Sequence, residues 1–271
     1  MPATDTKKPF EKFNCCVLIP TYNNEGTLAR VIESVLPYTN SIIIVNDGST
    51  DGTRNILEKF PELRVIHLPV NKGKGNALRT GFKAAVAGGF DRAITIDSDG
   101  QHFAEDIPHF FERLEQNPDA LIVGARNMTG ESIPGKSSFG YKISNFWFRF
   151  ETGISLPDTQ SGFRLYPVRQ LDRLKFFTTK YEFEIEVLVK AAWDGIPVIS
   201  VPIKVFYAQG KDRVTHFRPL TDFTRVGLLH CWLVFLTFTW YFPQRFFNRI
   251  KKKTSGKFSA RRFPILMSPQ E

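Results

Sequence analysis

At 271 residues and 31.0 kDa, with 42% hydrophobic residues, the chain can bury the core of one large domain, with or without an appendage, and is too apolar to be disordered. Its formal charge of +9 is uneven, because Phe223 to Gln270 carries nine basic residues and no acidic one, while the other 27 basic residues are matched by the 27 acidic ones. That tail points to an anionic membrane surface and away from nucleic acid, since no zinc-finger spacing or RNA-binding aromatic motif accompanies it.

From Asn14 onward strand-like and helix-like segments alternate. Cys15 to Pro20 (CCVLIP) is a short apolar run, followed by Leu28, Val31, Ile32, Val35 and Leu36 at helical spacing. Ile42 to Val45 is β-branched and ends in Asn46-Asp47-Gly48, after which Ser49, Thr50 or Asp51 is expected to cap a helix carrying Ile56, Leu57 and Phe60. Arg64 to Leu68 reads as a third strand, Gly75 to Val86 as a third helix and Arg92 to Asp97 as a fourth strand. This order predicts an α/β fold with a mostly parallel central sheet, helices on both faces, and ligands at the carboxyl ends of the strands.

Beyond Asp106 the pattern loosens. A helix to about Gln116, a strand ALIVGAR, an aromatic helical stretch KSSFGYKISNFWFRFETG, the segment DTQSGFRLY, a helix around Glu182 to Trp193 and a late strand PVISVPIKVFY follow in turn. From Val226 to Phe242 about 17 residues are almost uninterruptedly apolar, at the lower edge for a membrane span, with His230, Thr237 and Thr239 against that reading. Trp232, Trp240 and Tyr241 with the basic cluster after them favour an interfacial or re-entrant position on an anionic cytoplasmic leaflet, with a core helix as the other reading. The expected division is an N-terminal extension 1–13, a main domain 14–219, and a membrane-associating helix with its basic tail 220–271.

Cysteine usage and the N-terminus add little. Cys15, Cys16 and Cys231 offer neither a metal spacing nor a disulfide framework, and the adjacent pair reads as small buried hydrophobes in a reducing compartment. The opening MPATDTKKPFEKF contains no apolar stretch of the kind that directs export, so the sequon at Asn127 carries no weight.

Three polar loops fall at strand ends: PTYNNEG, NDGSTDG and DSDGQH. In the last, Asp97 and Asp99 flank Ser98, and a turn there can aim both carboxylates at one point. Hard oxygen ligands suit Mg²⁺ or Mn²⁺, with Gln101 able to add an oxygen, although a turn or helix cap also explains one of the aspartates. Asp47 can accept hydrogen bonds from a nucleobase or ribose, or simply make a turn. NKGKGNALRTGF lacks P-loop spacing, yet Lys72 and Lys74 can approach a diphosphate at a helix N-terminus. Arg213, His216 and Arg218 form a late basic cluster suited to closing over a diphosphate, or a solvated loop, and His102 is a second-row group or a polar turn residue.

PTYNNE, IVNDGSTDGT, NKGKGNALRTGF, IDSDGQH, GARNMTG and DTQSGFR together resemble family 2 glycosyltransferases of the GT-A fold, most closely the dolichol- or polyprenyl-phosphate mannosyltransferase branch, over roughly Cys15 to Phe217. The resemblance implies that Asp97, Asp99 and Gln101 hold a divalent cation on the diphosphate of a UDP- or GDP-sugar, and that Pro20, Tyr22 and Asp47, with Glu25, Lys74 and Ser98, belong to the nucleotide-sugar site. Arg126 and Lys136 would meet the acceptor phosphate, and Asp158, Ser161 and Arg164 would line the sugar and acceptor region, Asp158 serving as base if the acceptor were a hydroxyl. One departure stands out: where the branch has glutamate after Tyr-Asn, this chain has Asn24, with Glu25 one residue later.

The expected chemistry is metal-dependent, inverting transfer of a hexose to a polyprenyl phosphate or lipid-linked glycan, at the cytoplasmic face of a membrane as a peripheral or monotopic protein. Transfer to a glycolipid or polysaccharide hydroxyl is the alternative, and the absence of Q-x-x-R-W after DTQSGFR disfavours the processive synthases. A nucleotidyltransferase would want a glycine-rich loop where PTYNNEG stands, and an inactive nucleotide-binding scaffold would not need the paired aspartates.

Overall fold

The computed structural model describes residues 6–126, 135–206 and 219–243, with side chains at 6–126, 140–206 and 221–243. Arg213, His216 and Arg218, the sequon at Asn127 and the basic cluster from Arg245 lie outside the described residues.

β1 (Cys15–Thr21) and β2 (Ile42–Asn46) are buried along their whole length, as strands covered on both faces must be. β1 pairs in parallel with β2 and with β4 (Arg92–Thr95), and β2 pairs in parallel with β3 (Arg64–His67), the half-exposed edge. Beyond β4 come β6 (Arg164–Tyr166), β5 (Leu121–Arg126) and β7 (Val198–Ile203), giving the order β3-β2-β1-β4-β6-β5-β7. Only β6 runs against the rest, pairing antiparallel with β4 and β5, while β5 and β7 are parallel. The carboxyl ends of β1, β2, β4 and β5 therefore share one edge.

The helices match the sequence periodicity closely. α1 (Lys8–Lys12) precedes the sheet, and α2 (Leu28–Val35) buries Leu28, Val31, Ile32 and Val35, the predicted stripe. α4 (Lys74–Ala87) covers β1 and β2 with a face of small residues around Leu78 and Phe82, starting one residue before the expected Gly75. α5 (Ile107–Gln116), α6 (Gly135–Thr152), α7 (Val168–Leu171), α8 (Phe183–Trp193) and α9 (Pro219–Leu236) complete the set among the described residues.

Two expectations change. α3 is only Thr53–Leu57, with Gly52 at its N-cap and Phe60 beyond its end. Ser49 and Thr50 are drawn instead to Asn23, leaving Asp51 to accept a hydrogen bond from Thr53 N at 3.0 Å. The short antiparallel β6 has no counterpart in the sequence reading, because three residues carry no measurable period.

Met1–His230 is one compact unit and Cys231–Glu271 a second. The helical stretch Thr221–Tyr241 is 21 residues long, with mean hydropathy 1.2, long and apolar enough to cross a membrane; only 22% of its apolar window is buried, unlike an intramolecular core helix. Trp232, Phe235, Phe238, Trp240 and Phe242 are exposed on the second unit, where the hydroxyls of Thr237 and Thr239 donate to the carbonyls of Leu233 and Phe235. Those threonines are thereby satisfied within the helix and weigh less against an apolar medium. Cys15 and Cys16 are buried and Cys231 is exposed.

Candidate functional site

The first two strand-end loops are fastened to each other. Asn23, in a left-handed conformation (φ 51°), receives Thr50 N on its Oδ1 at 2.8 Å and donates its own amide to Ser49 Oγ at 2.9 Å. Asn24 is buried, donating its backbone N–H to Thr53 Oγ1 and its side-chain amide to Tyr22 O and Ser98 Oγ. The residue that departs from the family pattern is therefore an internal tie. Glu25 turns its carboxylate to the second loop, accepting Gly52 N at 2.6 Å. Pro20 is buried and Tyr22 half-buried beside them.

Asp47 is buried at the end of β2, and its two oxygens accept Lys72 N at 3.0 Å and Gly73 N at 2.7 Å. Burial raises its pKa, against the pull of those two amides. Gly48 (φ 70°) makes the turn possible: a Cβ there would lie 2.6 Å from Asn71 N. Asp47 thus anchors the loop that delivers Lys72 and Lys74.

The DSD stretch separates into two directions. Ser98 points inward, donating to Pro20 O at 3.0 Å and accepting from Asn24, so its hydroxyl is occupied by the fold and is not offered to a ligand. Asp97 and Asp99 point the other way, into partial exposure. Lys74 Nζ lies 2.8 Å from Asp97 Oδ1 and 3.2 Å from Glu184 Oε2. The lack of a side chain at Gly162 gives this group its room, since a Cβ there would fall 2.4 Å from Asp97 Oδ2 and 2.7 Å from Lys74 Nζ. Glu184, the second acid of YEFEIE, had no signal in the sequence beyond its place in the first turn of a helix.

The charges respond to one another. Desolvation opposes the charge on Asp97, but Lys74 and His102 outweigh it and lower its pKa. Asp99 is pushed up to about 6 by burial and then by the charge of Asp97. Desolvation opposes the charge on Lys74 too, and Asp97 and Glu184 overcome it, raising its pKa. His102, packed against Phe163, is pulled down to about 4 by burial and by Arg126 and Lys74, and is a neutral ring at pH 7. Two repelling carboxylates with Gln101 beside them fit Mg²⁺ or Mn²⁺, which take one or two protein carboxylates and fill the remaining positions with water and phosphate oxygens. Among the described residues no three or more His, Cys, Asp or Glu side chains form a ready-made cage.

At the far side of the crevice Arg126 ends β5 and is held by Asp158, Nε donating to Oδ2 at 2.6 Å and Nη2 to Oδ1 at 3.1 Å. Asp158 is fully buried and also accepts Gln160 N. Burial opposes its charge, yet Arg126 and the amides hold its pKa below the usual carboxylate value. Ser161 is buried, accepting Phe163 N on its hydroxyl. Arg164 is placed in the core and not on the crevice wall: its guanidinium is buried and donates to the carbonyls of Ser161, Thr159 and Glu184 and to Tyr166 Oη. A buried arginine surrounded by carbonyls organises the DTQSGFR turn. Lys136 falls in the first turn of α6, and its side chain lies outside those described.

The sequence matches the family model "Glycosyl transferase family 2" over residues 16–174. A polyprenol monophosphomannose synthase of Mycolicibacterium smegmatis is 27% identical over 69% of this chain and 75% of its own length. A UDP-N-acetylglucosamine–dolichyl-phosphate N-acetylglucosaminyltransferase of Methanococcus voltae is 29% identical over 71% of this chain and 86% of its own. In structure, glucosyl-3-phosphoglycerate synthase from Mycobacterium tuberculosis, crystallised with Mn²⁺, UDP and phosphoglyceric acid, superposes with a TM-score of 0.64 at 21% identity, covering 87% of this chain and 82% of that one. With its strand-end crevice on a GT-A sheet and its likeness to the dolichol- and polyprenyl-phosphate branch, the chain belongs to glycosyl transferase family 2 and is a glycosyltransferase.

Proposed function

We propose that this glycosyltransferase moves a hexose from a UDP- or GDP-sugar to a polyprenyl phosphate, with inversion and with the help of Mg²⁺ or Mn²⁺. The observation that carries the choice of acceptor is the Arg126–Asp158 pair. A hydroxyl acceptor needs a base with proton affinity, and Asp158, buried with its pKa lowered by Arg126, is a poor one. A lipid phosphate brings its own negative charge, attacks without surrendering a proton to the protein, and needs a fixed cation such as Arg126 to meet it.

In this reading Asp97, Asp99 and Gln101 hold the divalent cation, which supplies charge neutralisation for the departing diphosphate. Lys74 adds a second positive charge at the N-terminus of α4, the end of a helix suited to phosphate. Asp47 orders the loop bearing Lys72 and Lys74 and closes the nucleoside end of the crevice with Pro20 and Tyr22. Asp158 orients the guanidinium of Arg126 toward the acceptor. The new bond joins a phosphate oxygen to the anomeric carbon as the bond from that carbon to the nucleoside diphosphate breaks on the opposite face.

The polyprenyl-phosphate relatives and the apolar Thr221–Tyr241 stretch support work at the cytoplasmic face of a membrane, attached through the C-terminal segment. The test is product analysis with purified protein, UDP- and GDP-hexoses, Mn²⁺, and either polyprenyl phosphate or a neutral glycolipid. Sugar appearing on the phosphate alone is the expected result. Transfer to the glycolipid hydroxyl with none to the phosphate would overturn the acceptor assignment.

A further inference from the structure

We propose that the outward face of α6, together with the first half of α9, is a lipid-contacting surface that seats the domain on an anionic bilayer. This rests on the membrane attachment proposed above and adds a contact that the C-terminal segment does not supply. Ile143, Phe146 and Phe150 are 40%, 61% and 44% exposed. Spaced three and four residues apart, they form one stripe along the helix, while Ser144, Phe148, Glu151 and Thr152 face inward and are buried.

α9 lies beside α6 and runs the same way. The Phe223 ring packs over Gly140, where a Cβ would come within 3.0 Å of it. Seven residues further along each helix, the His230 ring stacks on Trp147 at 6.2 Å, and its Nδ1 is 2.8 Å from Glu151 Oε1. Phe223 and Leu228 are 48% and 66% exposed, so the two helices present apolar side chains next to each other.

Charge selects the occupant. Among residues 140–152 and 221–230 the exposed charges are Lys142, Arg149 and Arg225, and the two acids, Glu151 and Asp222, are buried. An aromatic and aliphatic face bordered only by cations suits the boundary between acyl chains and anionic headgroups. A second copy of the same basic face would repel it.

The inner side of α6 explains why such seating would matter to catalysis. Asn145 donates to Pro157 O at 2.8 Å and accepts Thr159 N at 3.0 Å, and Ser144 Oγ lies 2.8 Å from Thr159 Oγ1. These bonds flank Asp158, which holds Arg126. One helix therefore carries the apolar stripe on one side and the acceptor-site turn on the other, which sets Arg126 at the level of a lipid headgroup.

The test uses the full chain with Cys231→Ser, Cys15 and Cys16 being buried, and an environment-sensitive fluorophore on Phe146→Cys, on Phe150→Cys, or on Arg113→Cys of α5 as a reference. Phosphatidylcholine vesicles containing phosphatidylglycerol should blue-shift the label at 146 and 150 and shield it from iodide, with no change at 113. Phe146→Ser with Phe150→Ser should cut co-sedimentation with those vesicles several-fold while nucleoside diphosphate binding and the circular dichroism spectrum stay at the parent's. Co-sedimentation with both labels still in water would overturn this surface and leave C-terminal attachment standing. Absence of co-sedimentation would remove the attachment and this surface together. A label shift that grows with protein concentration without vesicles would reassign the face to a protein contact and overturn the proposal.

Discussion

Lys74 places its ammonium 2.8 Å and 3.0 Å from the two oxygens of Asp97 while remaining 3.2 Å from Glu184 Oε2, so a single cation bridges a strand-end carboxylate and a carboxylate of α8. Any divalent cation on Asp97 has to share that carboxylate with Lys74. Glu184 gives the lysine a second partner. We expect Glu184→Gln to weaken Mn²⁺ binding several-fold by leaving Lys74 on Asp97 alone, and Lys74→Met to abolish that sensitivity. Mn²⁺ titrations followed by electron paramagnetic resonance, on the single and double variants, measure the coupling. Equal losses in both backgrounds would mean that Glu184 acts on the metal directly.

Removing either DSD carboxylate should be far more damaging to turnover than to folding. Asp97→Asn and Asp99→Asn each replace an anionic oxygen ligand by a neutral amide, and sugar transfer is expected to fall about 100-fold or more, as when a charge-stabilising group is removed from an active site. EDTA should reproduce the defect in the parent, and thermal melting should change little. Parent-level transfer at limiting metal would reject the ligand assignment.

Asp47→Ala should weaken binding of the free nucleoside diphosphate by about 1.5–3 kcal/mol, the worth of a charge-assisted hydrogen bond. Because Asp47 also accepts Lys72 N and Gly73 N, part of the loss would come through the loosened lysine loop. Calorimetry with the nucleoside alone separates the contributions: a defect seen for the diphosphate but not for the nucleoside places Asp47's role in the loop.

For Asp158 the prediction is a pH dependence of stability. Its folded pKa lies below the unfolded value, so the unfolded chain binds the extra proton in the window between them; the stabilisation is full above about pH 4 and is lost as pH falls through the folded value. Asp158→Asn should cost about 3 kcal/mol at neutral pH, toward the low end for a broken buried pair because Arg126 keeps some contact with water. Urea unfolding at a series of pH values should show variant and parent converging in acid. A pH-independent gap would assign the effect to packing.

The alternation of β-branched runs with amphipathic stripes was enough to specify a mostly parallel α/β sheet, and the turn-forming acids after β1, β2 and β4 located the crevice, because backbone period and turn chemistry are local properties of the chain. Cys15 to Pro20 with the Leu28 to Val35 stripe is a clear case, and so is the DSD pair at the end of β4. Tertiary structure alone decided what each polar side chain in those motifs faces. Ser98 turns into the fold while its neighbours turn out, Arg164 is buried among carbonyls, Glu184 reaches Lys74, and Asp158 closes on Arg126 instead of waiting for a proton. Each of these depends on the register of strands distant in sequence and on the reversed β6, whose three residues bring the DTQSGFR turn between β4 and β5. A side-chain pairing set by strand direction has no signature in the spacing of either partner, and so it became visible only when the sheet was assembled.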